Sequence, residues 1–221
     1  EKELLMIQEQ EESSYRRILE ADPLPESIKN AGFGGVNAYK NYEGMLNSDL
    51  LISTAKRIDI LSKKLTVQSK SFDELILLAK EREKRLAVIP SIFPLYESEL
   101  QKVGSGFGMR KHPILRRVKM HKGIDLVAKR GAKIMSSGKG VVKSARYNMG
   151  YGKCVKIDHG YGYVSVYAHM SKIKVKKGQT VSHGDLIGLV GNTGRSTGPH
   201  LHYEVWINGK AVNPESFYIR K

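Results

Sequence analysis

The chain has 221 residues, with 37 Lys and Arg, 22 Asp and Glu and a single cysteine, for a net charge of +15. This length accommodates one domain of ordinary size plus a smaller appendage. One cysteine excludes an intrachain disulfide and a cysteine-based zinc site, and no run of 18 apolar residues is present to span a bilayer as a helix.

The charge is unevenly divided. Residues 1–95 carry 14 Lys and Arg against 15 Asp and Glu, whereas residues 96–221 carry 23 against 7. The C-terminal part therefore holds the whole excess, and its field favours an anionic polymer. Nucleic acid is the common partner of such a balance. It is not expected here, because the chain shows no zinc-finger spacing, no helix-turn-helix signal and no aromatic motif of the RNA-binding type.

In chain order, residues 1–21 read as a helix, with Leu4, Leu5, Ile18 and Leu19 apolar, ending before Pro23 and Pro25. Pro25 can open a short helix through Asn30, and Gly32, Gly34 and Gly35 then break the chain. From about Leu51 to Leu86 the apolar residues Ile58, Leu61, Leu65, Phe72, Leu75, Ala79 and Leu86 recur at three and four steps, with Thr54, Gln68 and Arg82 interrupting. This spacing predicts a long helix with a coiled-coil-like seam, paired within the chain as a hairpin or with another chain.

Pro90 and Pro94 mark the exit, and Ile92–Leu95 is read as the first strand of the next domain. Beyond it, residues 139–144, 153–158, 163–168, 186–190 and 202–207 are short runs rich in Val, Ile and Tyr between glycine-rich turns, which predicts antiparallel strands. The expected fold class is α+β. A helical hairpin or coiled-coil region over 1–90 precedes an antiparallel all-β domain over 91–221.

Three segments of that second region carry chemistry: His121 to Asp125, Tyr167-Ala168-His169 and His200-Leu201-His202. A catalytic zinc takes three His, Asp or Glu ligands and leaves a fourth position open. Five candidates thus suffice for three ligands and two spare imidazoles able to move protons near neutral pH. Residues two apart on a strand share a face, so His200 and His202 can look into one cleft, as can Tyr167 and His169. His121 and Asp125 need a bend to converge, and Gly123 permits one.

These segments, together with Ser105-Gly106-Phe107-Gly108-Met109-Arg110-Lys111-His112-Pro113 and Gly191-Asn192-Thr193-Gly194 through Glu204, resemble the lysostaphin-type zinc endopeptidases of bacterial cell walls. The similarity runs in the family's motif order from about residue 96 to 219. It implies that His121, Asp125 and His202 bind Zn2+ while His169 and His200 flank the attacking water. It further implies a peptidoglycan substrate cut at its peptide crosslinks, and a location in the cell envelope, on its periplasmic side. The chain starts at Glu1 without an initiator methionine, so a signal or membrane anchor upstream of Glu1 is expected. The alternative is a non-catalytic wall-binding or regulatory module acting through its helical arm. That arm is large for a spacer, and a regulatory protein partner that moves it off the cleft is a further expectation.

Other residues have plainer expectations. Cys154 reads as a core thiol, and His112, His159 and His183 as turn or surface residues. Arg110 suits either a substrate carboxylate or an intrachain ion pair. Tyr167 suits either a developing oxyanion or strand packing. Asp158 and Glu204 are candidates to orient ligating histidines, and Gly191–Gly198 to form a wall of the cleft.

Overall fold

The computed structural model describes residues 2–25, 28, 39–111 and 117–218. The short helix expected to run to Asn30, the glycine break after it and the His112 turn lie outside the described residues. The chain divides into two compact units, Glu1–Lys84 and Arg85–Lys221.

In the first unit the long helix runs from Ser48 to Val88, 41 residues and about 60 Å at 1.5 Å per residue. The N-terminal segment is helical over Lys2–Gln10, π-helical over Glu11–Arg16 and α-helical again over Arg17–Leu19. It ends at Glu20, whose φ of 56° is left-handed. The wider π turn moves the buried face away from the expected apolar residues: Leu4 is buried, but Leu5 and Ile18 are exposed, and Glu11 and Arg16 take their place inside.

The seam between these helices is consequently polar. Arg16 Nε donates to Glu11 Oε1 at 3.0 Å and Arg16 Nη2 to Glu74 Oε2 at 2.9 Å. Gln68 and Ser71, both buried, donate to Glu11. Arg82 reaches the Ile18 carbonyl. Partners advance in the same direction along both helices, so the two segments run parallel. Gln68, which interrupts the apolar repeat, is where the buried ion pair is satisfied, whereas Ile58, Leu65 and Leu86 of that repeat remain exposed.

The second unit is β-rich and antiparallel throughout. Its strands are β1 (Leu100–Ser105), β2 (Gly108–Lys111), β3 (Val118–His121), β4 (Ile124–Ala128), β5 (Lys133–Met135), β6 (Gly140–Asn148), β7 (Gly152–Gly160), β8 (Tyr163–Ile173), β9 (Thr180–Val181), β10 (Leu186–Val190), β11 (His200–Ile207) and β12 (Lys210–Val212). The main sheet has the order β1-β4-β11-β8-β7-β6-β9, with β10 on β5 and β8, and β12 on β11; β2 and β3 form a separate ribbon. All five strands expected from the sequence are present, several of them longer. Residues 92–95 form no strand. Leu95 makes only an isolated bridge to Ile134, because Pro90 and Pro94 lack the N–H groups a ladder needs.

One face of the sheet is covered by a core that includes Leu95, Ile124, Leu126, Ile134, Val155, Ile157, Met170, Ile187, Leu201 and Tyr203. Alternation on β11 sends Leu201, Tyr203 and Val205 into this core and turns His200, His202 and Glu204 to the other side. Cys154 is buried with Val166 and Ala168 on that other side, beneath Tyr151 and Trp206. Its thiol is pushed up to about 12 by burial, consistent with a packing role. No helix among the described residues is long and apolar enough to cross a membrane.

Candidate metal centre and cleft

Three neighbouring strands and the ribbon beside them assemble the site. His202 on β11 lies directly opposite Asp125 on β4 and opposite Ala168 on β8. His121 arrives from the end of β3, where the chain leaves the ribbon and enters the main sheet through Lys122 and Gly123. The expected bend is there, but for a different reason than backbone freedom. A Cβ on Gly123 would overlap the Tyr203 carbonyl, so glycine is needed for close approach to β11.

His121 Nε2, Asp125 Oδ1 and His202 Nδ1 all lie within 4.8 Å of one another. The separations are 3.2 Å for His121 Nε2 to Asp125 Oδ1, 3.0 Å for His121 Nε2 to His202 Nδ1 and 2.8 Å for His202 Nδ1 to Asp125 Oδ1. The far side of each imidazole is committed: His121 Nδ1 is 2.6 Å from the Gly106 carbonyl and His202 Nε2 is 2.9 Å from Glu204 Oε1. A carbonyl and a carboxylate only accept, so those nitrogens carry protons, and in the neutral rings the inward nitrogens present lone pairs. Three acceptors then face one another. Only a proton or a cation can reconcile them, and two imidazoles with one carboxylate at tetrahedral spacing are a donor set that suits zinc, for which about 2.0 Å bonds give edges of about 3.3 Å.

The electrostatics agree. Burial disfavours the Asp125 carboxylate, but hydrogen bonds with His121 and His202 outweigh it and hold the pKa well below the usual range. Burial likewise acts to lower the pKa of His202, yet Asp125 and Glu204 on either side of the ring raise it to about 9. The site thus favours positive charge between these carboxylates. Arg110 Nη2 completes the surround at 2.9 Å from Asp125 Oδ2, which makes the intrachain ion pair the observed role of Arg110.

His200 and His169 stand beside this triangle, their rings 4.8 Å apart, with His169 5.9 Å from His202. His200 Nδ1 is 2.8 Å from the Gly198 carbonyl and His169 Nδ1 is 2.8 Å from the Thr193 carbonyl. In each ring Nε2 is therefore the nitrogen left to face the cleft. Burial brings the pKa of His169 down to about 4 against the opposing hydrogen bond to Thr193.

Tyr167 and His169 do not share a face. Between Tyr167 and Met170 the pairing of β8 with β7 shifts, and His169 adopts a left-handed φ of 61°. This bulge turns His169 into the cleft and leaves Tyr167 fully buried, its hydroxyl bonded to Ser137 and Ser165. An oxyanion role for Tyr167 is thereby removed. Asp158 is also elsewhere, paired with Lys143 at 3.4 Å. His159 is buried, bridging the Lys139 carbonyl and Ser165 rather than decorating a turn. Tyr151, which the spacing of the sequence does not single out, donates to Glu204 Oε1 at 2.8 Å and lines the cleft.

The cleft has a volume of about 290 Å³. Besides the histidines and Asp125, it is lined by Arg110, Lys119, Lys122, Tyr151, Glu204 and, from the Gly191–Gly198 loop, Arg195, Ser196 and Thr197. Its acidic groups are Asp125 and Glu204, both already engaged, so its free charge is positive.

The family model described as Peptidase family M23 matches residues 119–214, which contain all five of these site residues. An uncharacterized metalloprotease of Haemophilus influenzae is 49% identical over 106 residues, 48% of this chain and 22% of its own length. Peptidoglycan DD-endopeptidase ShyA of Vibrio cholerae is 49% identical over 113 residues, 51% of this chain and 26% of its own length. A crystal structure of a zinc-containing peptidase from Vibrio cholerae superposes with a TM-score of 0.52 at 41% identity, covering 55% of this chain and 37% of that one. The chain thus spans about a quarter of the length of these curated relatives.

Proposed function

We propose that the protein, whose residues 119–214 match the model of Peptidase family M23, is a zinc-dependent endopeptidase that hydrolyses peptide crosslinks of bacterial peptidoglycan in the cell envelope, on its periplasmic side. The observation that carries this reading is the convergence of His121 Nε2, Asp125 Oδ1 and His202 Nδ1, 2.8 to 3.2 Å apart, with the outer nitrogens of both imidazoles committed to Gly106 and Glu204. These three residues would hold the ion. Zinc bound there supplies Lewis acidity, which polarises a scissile carbonyl and makes water a stronger acid.

The chain's own groups supply the proton traffic. With Nδ1 pinned to a backbone carbonyl, His200 and His169 each present Nε2 to the cleft, so one takes the proton of the attacking water and returns it to the leaving amine. Arg110 holds Asp125 from behind and Glu204 holds His202, so neither ligand turns away when substrate enters. The positive cleft draws in the carboxylates of wall peptides.

In this reading residues 91–221 are the peptidase module and residues 1–90 a helical region for a regulatory protein partner, whose coiled-coil surface is the exposed stripe of Ile58, Leu65 and Leu86. The relatives named as peptidoglycan DD-endopeptidases support the substrate class. The test is joint: metal analysis of the purified chain, and mass spectrometry of peptides released from purified wall. Stoichiometric zinc with release of crosslink fragments is expected; intact crosslinks after incubation with zinc-loaded protein would overturn the proposal.

A further inference from the structure

Glu204 is the most deeply buried ionisable side chain around the cleft, 1% exposed, and among the described residues no lysine or arginine pairs with it. Its two oxygens instead take three donors. Oε1 accepts from His202 Nε2 at 2.9 Å and from Tyr151 Oη at 2.8 Å, and Oε2 accepts from Trp206 Nε1 at 2.7 Å. The row is written by strand periodicity: His200, His202, Glu204 and Trp206 are successive same-face positions of β11. Trp206 is itself covered by Lys122, whose Nζ is 5.0 Å from the ring centroid.

We propose that Glu204 is a positioning residue for the metal centre. It holds His202 in the tautomer protonated at Nε2, which aims the Nδ1 lone pair at the space shared with His121 and Asp125, and Trp206 and Tyr151 lock the carboxylate in that duty. The inference rests on the zinc reading above and deepens it. An imidazole that loses its outer acceptor can protonate either nitrogen and rotate, so the inward lone pair is no longer guaranteed.

The donor inventory gives this proposal a signature that mere filling of space lacks. A carboxylate accepts from all three neighbours, but the carboxamide in Glu204→Gln has one acceptor oxygen and one NH2. If the oxygen serves His202 and Tyr151, the NH2 confronts the indole N–H, which can only donate. Trp206→Phe removes that N–H and the conflict with it.

The experiment measures zinc affinity by chelator competition, together with the His202 tautomer by 15N NMR of the metal-free protein at a pH alkaline enough for its imidazole to be neutral, for Glu204→Ala, Glu204→Gln, Trp206→Phe and Glu204→Gln/Trp206→Phe. Glu204→Ala and Glu204→Gln are expected to weaken zinc binding by about 10- to 100-fold, the range for partners that orient ligating histidines. Both should lose the single Nε2-protonated form of His202. The double variant is expected to recover most of the affinity lost in Glu204→Gln. Unchanged affinity and tautomer in folded Glu204→Gln, or no recovery in the double variant, would overturn the proposal; if Glu204→Ala does not fold, the Gln series still decides. A wild-type chain that binds no zinc would instead sink the peptidase reading itself, so the two failures are distinguishable.

Discussion

His202 and Asp125 face each other across neighbouring antiparallel strands, with His202 Nδ1 2.8 Å from Asp125 Oδ1. Cross-strand neighbours are set by register, and a slip of one residue would turn one of them into the core. The proposed metal centre is thus fixed by the same ladder that fixes the sheet. The ligand geometry inherits the rigidity of β4 and β11 rather than that of a loop.

That arrangement separates two kinds of histidine. His121→Ala removes one of three converging acceptors, and loss of bound zinc together with turnover is expected. His169→Ala leaves the triangle intact, so zinc content should stay at the wild-type level while kcat falls by about 10²- to 10⁴-fold, the usual contribution of a general acid or base. Metal analysis beside a wall-digestion assay checks both; zinc loss in His169→Ala would contradict the division of labour.

Gly123 tests the close approach of the β3–β4 connection to β11. In Gly123→Ala the new methyl group must displace the Tyr203 carbonyl, next to His202. Destabilisation of roughly 1–3 kcal/mol, the usual cost of overpacking, is expected in urea denaturation, with weaker zinc retention. By contrast Gly131→Ala, which meets no atom within 4 Å but has a φ of 98°, should carry only backbone strain and leave zinc retention unchanged.

His159 gives the fold a dependence on pH away from the metal centre. Burial lowers its pKa, opposed by the hydrogen bond to the Lys139 carbonyl; His183 nearby lowers it further and Asp158 acts to raise it. The unfolded chain therefore takes up a proton at about pH 6.5 where the folded one resists. This contribution to stability is fully present above that pH and is lost as pH falls through the depressed folded value. Urea midpoints measured between pH 8 and 5 should fall on the acid side, and His159→Gln should flatten that part of the profile relative to wild type.

Arg195 stands at the cleft without an acidic partner among the described residues. Its charge is free to meet a carboxylate of the proposed wall-peptide substrate, so Arg195→Glu should reduce kcat/KM by about tenfold, mainly through KM. Added salt should lower the wild-type rate more than the variant's, because screening acts on the same attraction. Initial rates on soluble wall peptides at two ionic strengths read both effects.

How much of this was legible beforehand differs from residue to residue. The local periods were readable: three-and-four spacing over 51–86 became the long helix, and β-rich runs between glycines became β6, β7, β8, β10 and β11. The pairing of His200 with His202 followed from the two-residue period of a strand, and residue chemistry alone marked the five candidates. Sequence could not show that β8 bulges at Ala168–His169, because a bulge adds a residue without leaving a compositional mark; it took the register with β7 to reveal that Tyr167 and His169 part company. Nor could it show that the helical seam is polar, since the π turn that brings Glu11 and Arg16 to Gln68 and Ser71 is a shift of one residue in an otherwise ordinary helix.

The amino-acid order by itself determined which side chains had the chemistry to hold a divalent cation and which segments were strands. Tertiary structure alone decided which nitrogen of each imidazole faces inward. That choice depends on acceptors distant in the chain for His121, whose outer nitrogen meets Gly106 15 residues away, and on the Tyr151 and Trp206 hydrogen bonds that steady Glu204 for His202. Tautomers are set by the partner on the far side of the ring, and that partner exists only once the strands have met.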